Sequence, residues 1–351
     1  MSILSLTQAE FADQMVSLMG RGRRHAERLY QHYVRKGDLS DLSWVEPQAM
    51  HLVQKMIEAA NFKCDPISKI LEDGDVKKIL IKLQDGLETE SVIIPMKAGL
   101  TLCVSSQVGC KMGCTFCETG RMGLIRNLKP EEIVQQLFIA KHVLKKPIRN
   151  IVFMGMGEPF DNYDNVMQAI KVLTDPKGFG MGPRHITVST SGVVDVLDRF
   201  TEEADQAINL AVSINAPSDQ IRSKIMPVNH KWSMGQLREA LHRYVTTGRR
   251  EILIEYVLLK DLNDGLDHAD LLADYLEGLP VKVNLIPYNA QRRTRFSPPE
   301  LEQQEAFFQR LKEKKYQVLL RHHKGRGIMA ACGQLGNKEL YRPSLKKLHL
   351  V

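Results

Sequence analysis

From Leu100 onward, short apolar strands alternate with longer helical stretches, and few folds accommodate that alternation. Strands are predicted over residues 100–105, 150–154, 185–189, 208–214, 252–258, 282–286 and 317–321. Helical patterns follow most of them, among them 130–144, 162–173, 266–276 and 300–314. Successive β-α units pack as a parallel sheet covered by helices, an α/β fold closed or partly closed into a barrel. In such barrels the chemistry lies just past the C-terminal ends of the strands.

The N-terminal part reads differently. Helices are predicted from a cap near Thr7, over 23–35 with a stop at Gly37, and over 47–60. Residues 67–71, 77–83 and 90–94 then form a small β-meander, bounded by Asp73-Gly74 and Asp85-Gly86. The chain thus divides into a helical accessory domain (1–62), a meander leading to the core (63–98), the core (99–335) and a basic tail (336–351).

Hydrophobic residues make up 43% of the 351 and charged residues 25%, the balance of a soluble globular protein. No apolar run reaches the ~18–20 residues of a membrane span. The N-terminus lacks the order of a secretion signal, so a cytoplasmic protein without a membrane partner is expected. Lys plus Arg exceed Asp plus Glu by 48 to 41, an excess of +7 that suits a nucleic-acid partner without requiring one.

Four of the six cysteines fall within fifteen residues: Cys103, Cys110, Cys114 and Cys117. The last three, spaced C-x3-C-x2-C after the first barrel strand, put three thiolates on one tight loop. Three ligands on a cubane iron–sulfur cluster would leave the fourth iron open for a small molecule. A zinc site with Cys103 as fourth ligand is the bland alternative. Its usual paired C-x2-C hooks do not match this order.

Other candidate groups lie past later strands. Phe153-Met-Gly-Met-Gly-Glu-Pro159 offers glycines for close backbone approach and the Glu158 carboxylate for an ammonium group. Ser189-Thr-Ser-Gly192, Ser213-Ile-Asn215 and Pro287-Tyr-Asn289 offer hydroxyls, amides and backbone groups, though each also suits an ordinary turn. Cys332, among small residues and before Gly333, is expected on a mobile loop near the barrel mouth. Cys64 reads as a buried filler. Basic clusters at Arg21, Arg23, Arg24, Arg28, Arg35 and Lys36, at Arg292, Arg293 and Arg295, and at Arg321, Lys324 and Arg326 suggest phosphates near the site.

With these strings in hand, residues 90–335 resemble the radical S-adenosylmethionine RNA methyltransferases of the RlmN/Cfr family. The shared strings are Cys103-Val-Ser-Ser-Gln-Val-Gly-Cys110, Cys114-Thr-Phe-Cys117-Glu-Thr-Gly120, Arg126-Asn-Leu128, Phe153–Pro159, Val188-Ser-Thr-Ser-Gly192, Ile225-Met-Pro227, Val283-Asn-Leu-Ile-Pro287 and Ala330-Ala-Cys-Gly-Gln-Leu335. Arg24-His-Ala-Glu-Arg-Leu-Tyr30 resembles the family's accessory domain more weakly. The resemblance implies a partial (β/α)6-type radical SAM barrel. It implies a [4Fe-4S] cluster on Cys110, Cys114 and Cys117, and two S-adenosylmethionine molecules per turnover. Gly157, Glu158, Ser189, Ser213, Ile214, Asn215 and Asn289 would bind that cofactor. One molecule would methylate Cys332, and the methyl would then pass by radical chemistry to an adenine. Cys103 would resolve the resulting crosslink through a disulfide with Cys332. Glu90 would take the ring proton.

The resemblance further implies a flipped or single-stranded adenosine of 23S ribosomal RNA or of transfer RNA, methylated at carbon 2, with carbon 8 as the variant. It implies an electron donor such as flavodoxin or ferredoxin, and a monomer is the simplest expectation. The chain departs from the family pattern at Asn215, where His is usual, at Arg326-Gly327 and Met329, where acidic residues are usual, and at Glu118, where a small residue is usual. Competing readings are a radical enzyme acting on another RNA or a protein, and a non-catalytic RNA-binding protein with a structural zinc.

Overall fold

The computed structural model describes residues 1–248, 251–291, 294–321 and 324–336. Three helices open the chain: α1 (Gln8–Met19), α2 (Arg23–Lys36) and α3 (Met50–Ala59). Thr7 caps α1 as expected. Its hydroxyl accepts from the Glu10 amide at 3.3 Å while the Glu10 carboxylate accepts from the Thr7 amide at 2.8 Å, satisfying two otherwise orphaned donors. Helix α2 ends at Gly37, which takes φ +90° at no steric cost.

The meander follows as β1 (Ile67–Asp73), β2 (Val76–Lys82) and β3 (Glu88–Met96). Next come β4 (Gly99–Cys103), β5 (Gln107–Cys110), α4 (Glu118–Met122), β6 (Gly123–Asn127), α5 (Pro130–Phe138) and β7 (Ile148–Phe153). Then follow α6 (Tyr163–Thr174), β8 (Ile186–Thr190), α7 (Val194–Glu203), β9 (Asn209–Ser213), α8 (Asp219–Ile225) and α9 (Met234–Thr246). The described core finishes with β10 (Ile252–Leu258), α10 (Leu266–Leu276), β11 (Val281–Pro287), α11 (Leu301–Glu313) and β12 (Gln317–Leu320).

All seven expected barrel strands form, each within two residues of its predicted ends. They lie side by side and parallel, in the order β4-β7-β8-β9-β10-β11-β12. The meander does not stand apart from them. Strand β3 pairs antiparallel with β4, Val92 opposite Cys103, so one ten-stranded sheet runs from β1 to β12. Among the described residues no strand pairing closes this sheet. The segment after β12 crosses the open side instead, where the Gly327 amide donates to Asp73 of β1 at 3.1 Å. The β5–β6 hairpin stands outside the main sheet and carries the cysteine loop between its strands. The expected helix 130–144 is α-helical only to Phe138 and continues as a π-helical turn, Ile139–Val143.

The N-terminal helices pack on α5 and α6. Tyr33 stacks on Phe138 with ring centroids 4.9 Å apart, and the Gln8 amide donates to Asp175, just past α6, at 2.6 Å. Val, Ile and Leu of the strand interiors form a continuous core with the inner faces of the helices. No helix among the described residues is long and apolar enough to cross a membrane.

Candidate active site

Two adjoining cavities occupy the mouth of the sheet. The smaller, about 170 Å³, is lined by Cys110, Cys114 and Cys117, by Gly155, Gly157 and Glu158 past β7, and by Ser189, Thr190 and Ser191 at the end of β8. Ser213, Asn215, Glu255, Tyr288, Asn289 and Cys332 also line it. The larger, about 710 Å³, is walled by Cys103, Glu255, Asn284, Asn289, Arg321, Lys324 and Cys332 among apolar side chains such as Ile94, Met96, Leu253 and Leu319. Met154, Glu255, Ile286, Asn289 and Cys332 face both. Strand ends far apart in sequence thus bring the candidate residues to one place.

The three clustered thiols line one wall of the smaller cavity. Among the described residues, no three His, Cys, Asp or Glu side chains are grouped to hold a metal ion. A cubane cluster asks for something different, one thiolate on each of three separate irons, and the three thiols fit that demand by sharing a cavity wall. Burial pushes the Cys114 thiol up to about 12 and raises Cys110 and Cys117 as well. A bound cation reverses that direction, because a coordinating thiol is deprotonated outright.

The cysteine loop is fixed by backbone bonds to its surroundings. The Thr115 amide donates to Ile225 O at 2.9 Å, and the Gln291 side chain donates to Phe116 O at 2.6 Å. Glu118, unusual at its position, pairs with Arg121, whose guanidinium also donates to Gln291 at 3.0 Å.

Glu158 is buried, with its carboxylate held by backbone. Oε1 accepts from the Phe160 amide at 3.1 Å and Oε2 from the Ser191 amide at 2.7 Å, tying the ends of β7 and β8 together. The glycines before it do more than admit a ligand. A Cβ on Gly157 would lie 2.6 Å from Gln107, and one on Gly155 2.7 Å from Ser105, so both are needed to seat this loop against the chain leading into β5.

Asn215 has φ +56°, a left-handed conformation that Asn tolerates better than most side chains. Its Oδ1 accepts from the Val257 amide at 2.8 Å, and its Nδ2 approaches the Met226 sulfur at 3.3 Å. The departure at this position is therefore built into the local fold. Ile214 differs from expectation: its side chain is buried and lines neither cavity. Its carbonyl accepts from Arg222 at 3.1 Å.

Arg222 is one of the residues that sequence reasoning missed. Fully buried, it also donates to the carbonyls of Ser191 at 2.6 Å and Ser213 at 3.1 Å, stapling the ends of β8 and β9. Its signal was its place three residues before Ile225 of the Ile-Met-Pro string, on the same inward face of α8.

The Cys332 segment, expected on a mobile loop near the barrel mouth, is bonded to the mouth at several points. Asn289 donates to Cys332 O at 3.1 Å, Gln291 to Gly333 O at 2.8 Å, and Thr119 to Leu335 O at 2.7 Å. The Glu118 amide also donates to Gly333 O at 2.8 Å, joining this segment directly to the cysteine loop. Asn289 also accepts from Arg326 at 3.2 Å, so its amide is engaged with the chain's own loop.

Glu90 lines neither cavity. It is 0% exposed and paired at 2.7 Å with Lys78, itself 1% exposed. This pair holds both ends of the Cys332 segment: Lys78 donates to Met329 O at 3.0 Å, and Glu90 Oε2 accepts from the Gly336 amide at 3.2 Å. Met329, the second departure, enters through its backbone carbonyl. Burial raises the Glu90 carboxyl and Lys78 opposes that rise. Glu90 Oε1 has no hydrogen-bond partner.

Cys103 sits at the end of β4. Burial pushes its thiol up to about 12, neighbouring Cys332 adds to the rise, and the Arg321 guanidinium opposes it. Arg321, one of the basic residues expected near phosphates, thus lines the larger cavity beside the two cysteines. Of the other basic residues, Arg23 pairs with Asp13, Arg28 lies 4.9 Å over Trp44, and Arg295 lies over Phe296. Arg292, Arg293 and nearly all of the tail expected over 336–351 fall outside the described residues. Cys64 is half-buried beside Tyr33, as a filler would be.

Comparison with known proteins agrees with this geometry. Residues 104–272 match the radical SAM superfamily. The chain is 51% identical over 341 residues to a probable dual-specificity RNA methyltransferase RlmN 1 of Protochlamydia amoebophila, covering 97% of this chain and 95% of that one. It is 39% identical to the dual-specificity RNA methyltransferase RlmN of Syntrophus aciditrophicus, covering 94% and 95%. The crystal structure of a radical SAM methyltransferase from Sphaerobacter thermophilus superposes with a TM-score of 0.89 at 36% identity, over 95% of this chain and 98% of that one. With its strand order, its cysteine loop and near full-length likeness to these proteins, the chain belongs to the RlmN family of radical SAM methyltransferases.

Proposed function

We propose that this protein methylates carbon 2 of an adenosine in ribosomal RNA, and in transfer RNA, with Cys332 carrying the methyl group. The observation that carries this reading is the position of Cys332 on the wall common to both cavities. A sulfur there can meet a cofactor on one side and a base on the other.

Cys110, Cys114 and Cys117 would hold a [4Fe-4S] cluster with an open iron. Gly157, Glu158, Ser189, Ser213 and Asn215 would hold S-adenosylmethionine through the wall of the smaller cavity, with Asn289 at its edge and Ile214 contributing only main chain. Bound there, cluster and cofactor supply a hydrogen-abstracting radical on arrival of an electron from a donor such as flavodoxin or ferredoxin.

The remaining work falls to the chain's own residues. Cys332 presents its methyl carbon toward the larger cavity, where the base would lie after leaving its stack. Apolar walls there exclude water and favour an unstacked ring. Glu90 Oε1, free of hydrogen bonds, would take the ring proton once the segment ending at Gly336 moves aside, and the odd electron left by radical addition would return to the bound cluster. Cys103 would then attack the Cys332 sulfur. The sulfur–sulfur bond forms as the sulfur–carbon bond breaks, and the departing electron pair goes to the carbon joined to the base. Arg321 stands beside both sulfurs and favours the thiolate such an attack requires.

The test is anaerobic reconstitution of wild type and Cys114→Ala with iron and sulfide, followed by S-adenosylmethionine. Brown wild-type protein whose Cys332 peptide gains a methyl group, beside pale Cys114→Ala, is the expected result. Colourless wild type with bound zinc would contradict the proposal.

A further inference from the structure

One buried carboxyl in the larger cavity has no assigned task. Glu255 lies on β10 between Ser213 of β9 and Asn284 of β11, and the three pair as one row across the sheet. Glu255 is only 5% exposed and faces both cavities beside Cys332. Its Oε2 accepts from Asn284 at 2.9 Å, while its Oε1 is buried with no hydrogen-bond partner. Leaving a buried polar atom unsatisfied costs about 1–3 kcal/mol, a cost that a ligand's polar group would remove. Most of the surrounding wall is apolar, and the other nearby amide, Asn289, is already engaged by Cys332 O and Arg326.

We propose that Glu255, braced by Asn284, recognises the ring-nitrogen edge of the adenine and so selects carbon 2 as the carbon that is methylated. The inference rests on the RNA-methylating reading above and adds to it the group that fixes the position. Carbon 2 lies between N1 and N3 of adenine, whereas carbon 8 lies between N7 and N9. N1 is on the edge that a base presents once it leaves its pair. A neutral carboxyl donates its O–H to such a nitrogen. That hydrogen bond draws electron density from the adjoining carbon. A carbon radical adds to an electron-poor ring carbon more readily; the new carbon–carbon bond forms there, and the odd electron spreads onto the ring, where the donor stabilises it. Of the charged and titratable groups that line the larger cavity with Glu255, Arg321, just past β12, acts on it directly, while Lys324 and the thiols of Cys103 and Cys332 share the wall. Burial raises the Glu255 carboxyl, and Arg321 and Asn284 only partly oppose this, in line with a donor rather than a base.

The experiment uses full-length reconstituted enzyme, wild type, Glu255→Gln and Glu255→Met. An RNA substrate carries adenosine or 1-deazaadenosine at the target position. Glu255→Gln places an amide N–H where the O–H stood and keeps an acceptor for Asn284. Glu255→Met should lower carbon-2 methylation about 100-fold, the scale for loss of one positioned donor. Methylation of Cys332 itself should still proceed in that variant, showing that it folds and takes up its cofactors. Glu255→Gln should recover most of the loss, and 1-deazaadenosine should reduce wild type to the level of Glu255→Met. The proposal is overturned if Gln falls as far as Met, if Met leaves carbon-2 methylation intact, or if wild type methylates carbon 8. Wild type that methylates Cys332 yet yields no methyladenosine would defeat the RNA reading itself, and this inference with it.

Discussion

Two buried glutamates flank the Cys332 segment, and they are held in opposite ways. Glu90, on the meander side, has a bonded cation and a backbone amide on one oxygen. Glu255, on the barrel side, has a single amide donor, with Arg321 near but not bonded. The first arrangement anchors chain: both members of the Lys78–Glu90 pair grip an end of the catalytic segment. The second holds no such segment: each glutamate has an unbonded Oε1, but that of Glu255 belongs to a side chain lining both cavities. Burial and chemical type are alike in the two regions, so they do not separate scaffold from site. Access to the cavities does: Glu255 lines both and Glu90 lines neither.

The sharpest way to break this contrast is Lys78→Met. Removing the cation leaves Glu90 buried and uncompensated, and unfolding in urea should show a loss of about 3–5 kcal/mol. Replacing both members, Lys78→Met with Glu90→Met, should recover much of that loss, since well-packed apolar pairs often match buried ion pairs. The recovered protein should still be cut faster by protease near Met329, because both tethers are gone. Glu255→Met should cost less, about 1–3 kcal/mol, chiefly from the orphaned Asn284 donor. Equal costs for Lys78→Met and Glu255→Met would erase the distinction.

A smaller effect lies in pH. Both carboxyls are raised in the folded protein, so the folded state keeps its protons after the unfolded chain has released them. Stability then falls as pH climbs from the ordinary glutamate value of about 4.3 toward the folded value, and levels beyond it. Wild type should therefore lose stability relative to Glu255→Gln over that rise, with no change below it. A difference that grows as pH falls would show a depressed carboxyl and refute the assignment.

Much of the fold was legible because the signal was local. Helix α10 and strand β10 begin and end where their patterns do, and Thr7 and Gly37 mark their helix ends by side-chain and backbone chemistry. The cluster cysteines and Cys332 were legible as strings. What the sequence left out depends on distant partners. The β5–β6 hairpin pairs across the cysteine loop, and β3 joins the barrel only through β4. Lys78 reads as one more charge on a meander strand, and its burial is set by Glu90 and Met329. The burial of Arg222 is set by the carbonyls of Ser191, Ser213 and Ile214 at the ends of β8 and β9. Glu255 sat within an apolar strand without a motif, so only its register with Ser213 and Asn284 revealed it.

The most direct test of the central claim is mass spectrometry of ribosomal and transfer RNA from cells carrying the wild-type gene, no gene, or Cys332→Ala. Each methyladenosine isomer is matched to a standard and mapped to its fragment. The expected result is a 2-methyladenosine present with wild type and lost in the other two. Identical adenosine methylation in all three strains would contradict it.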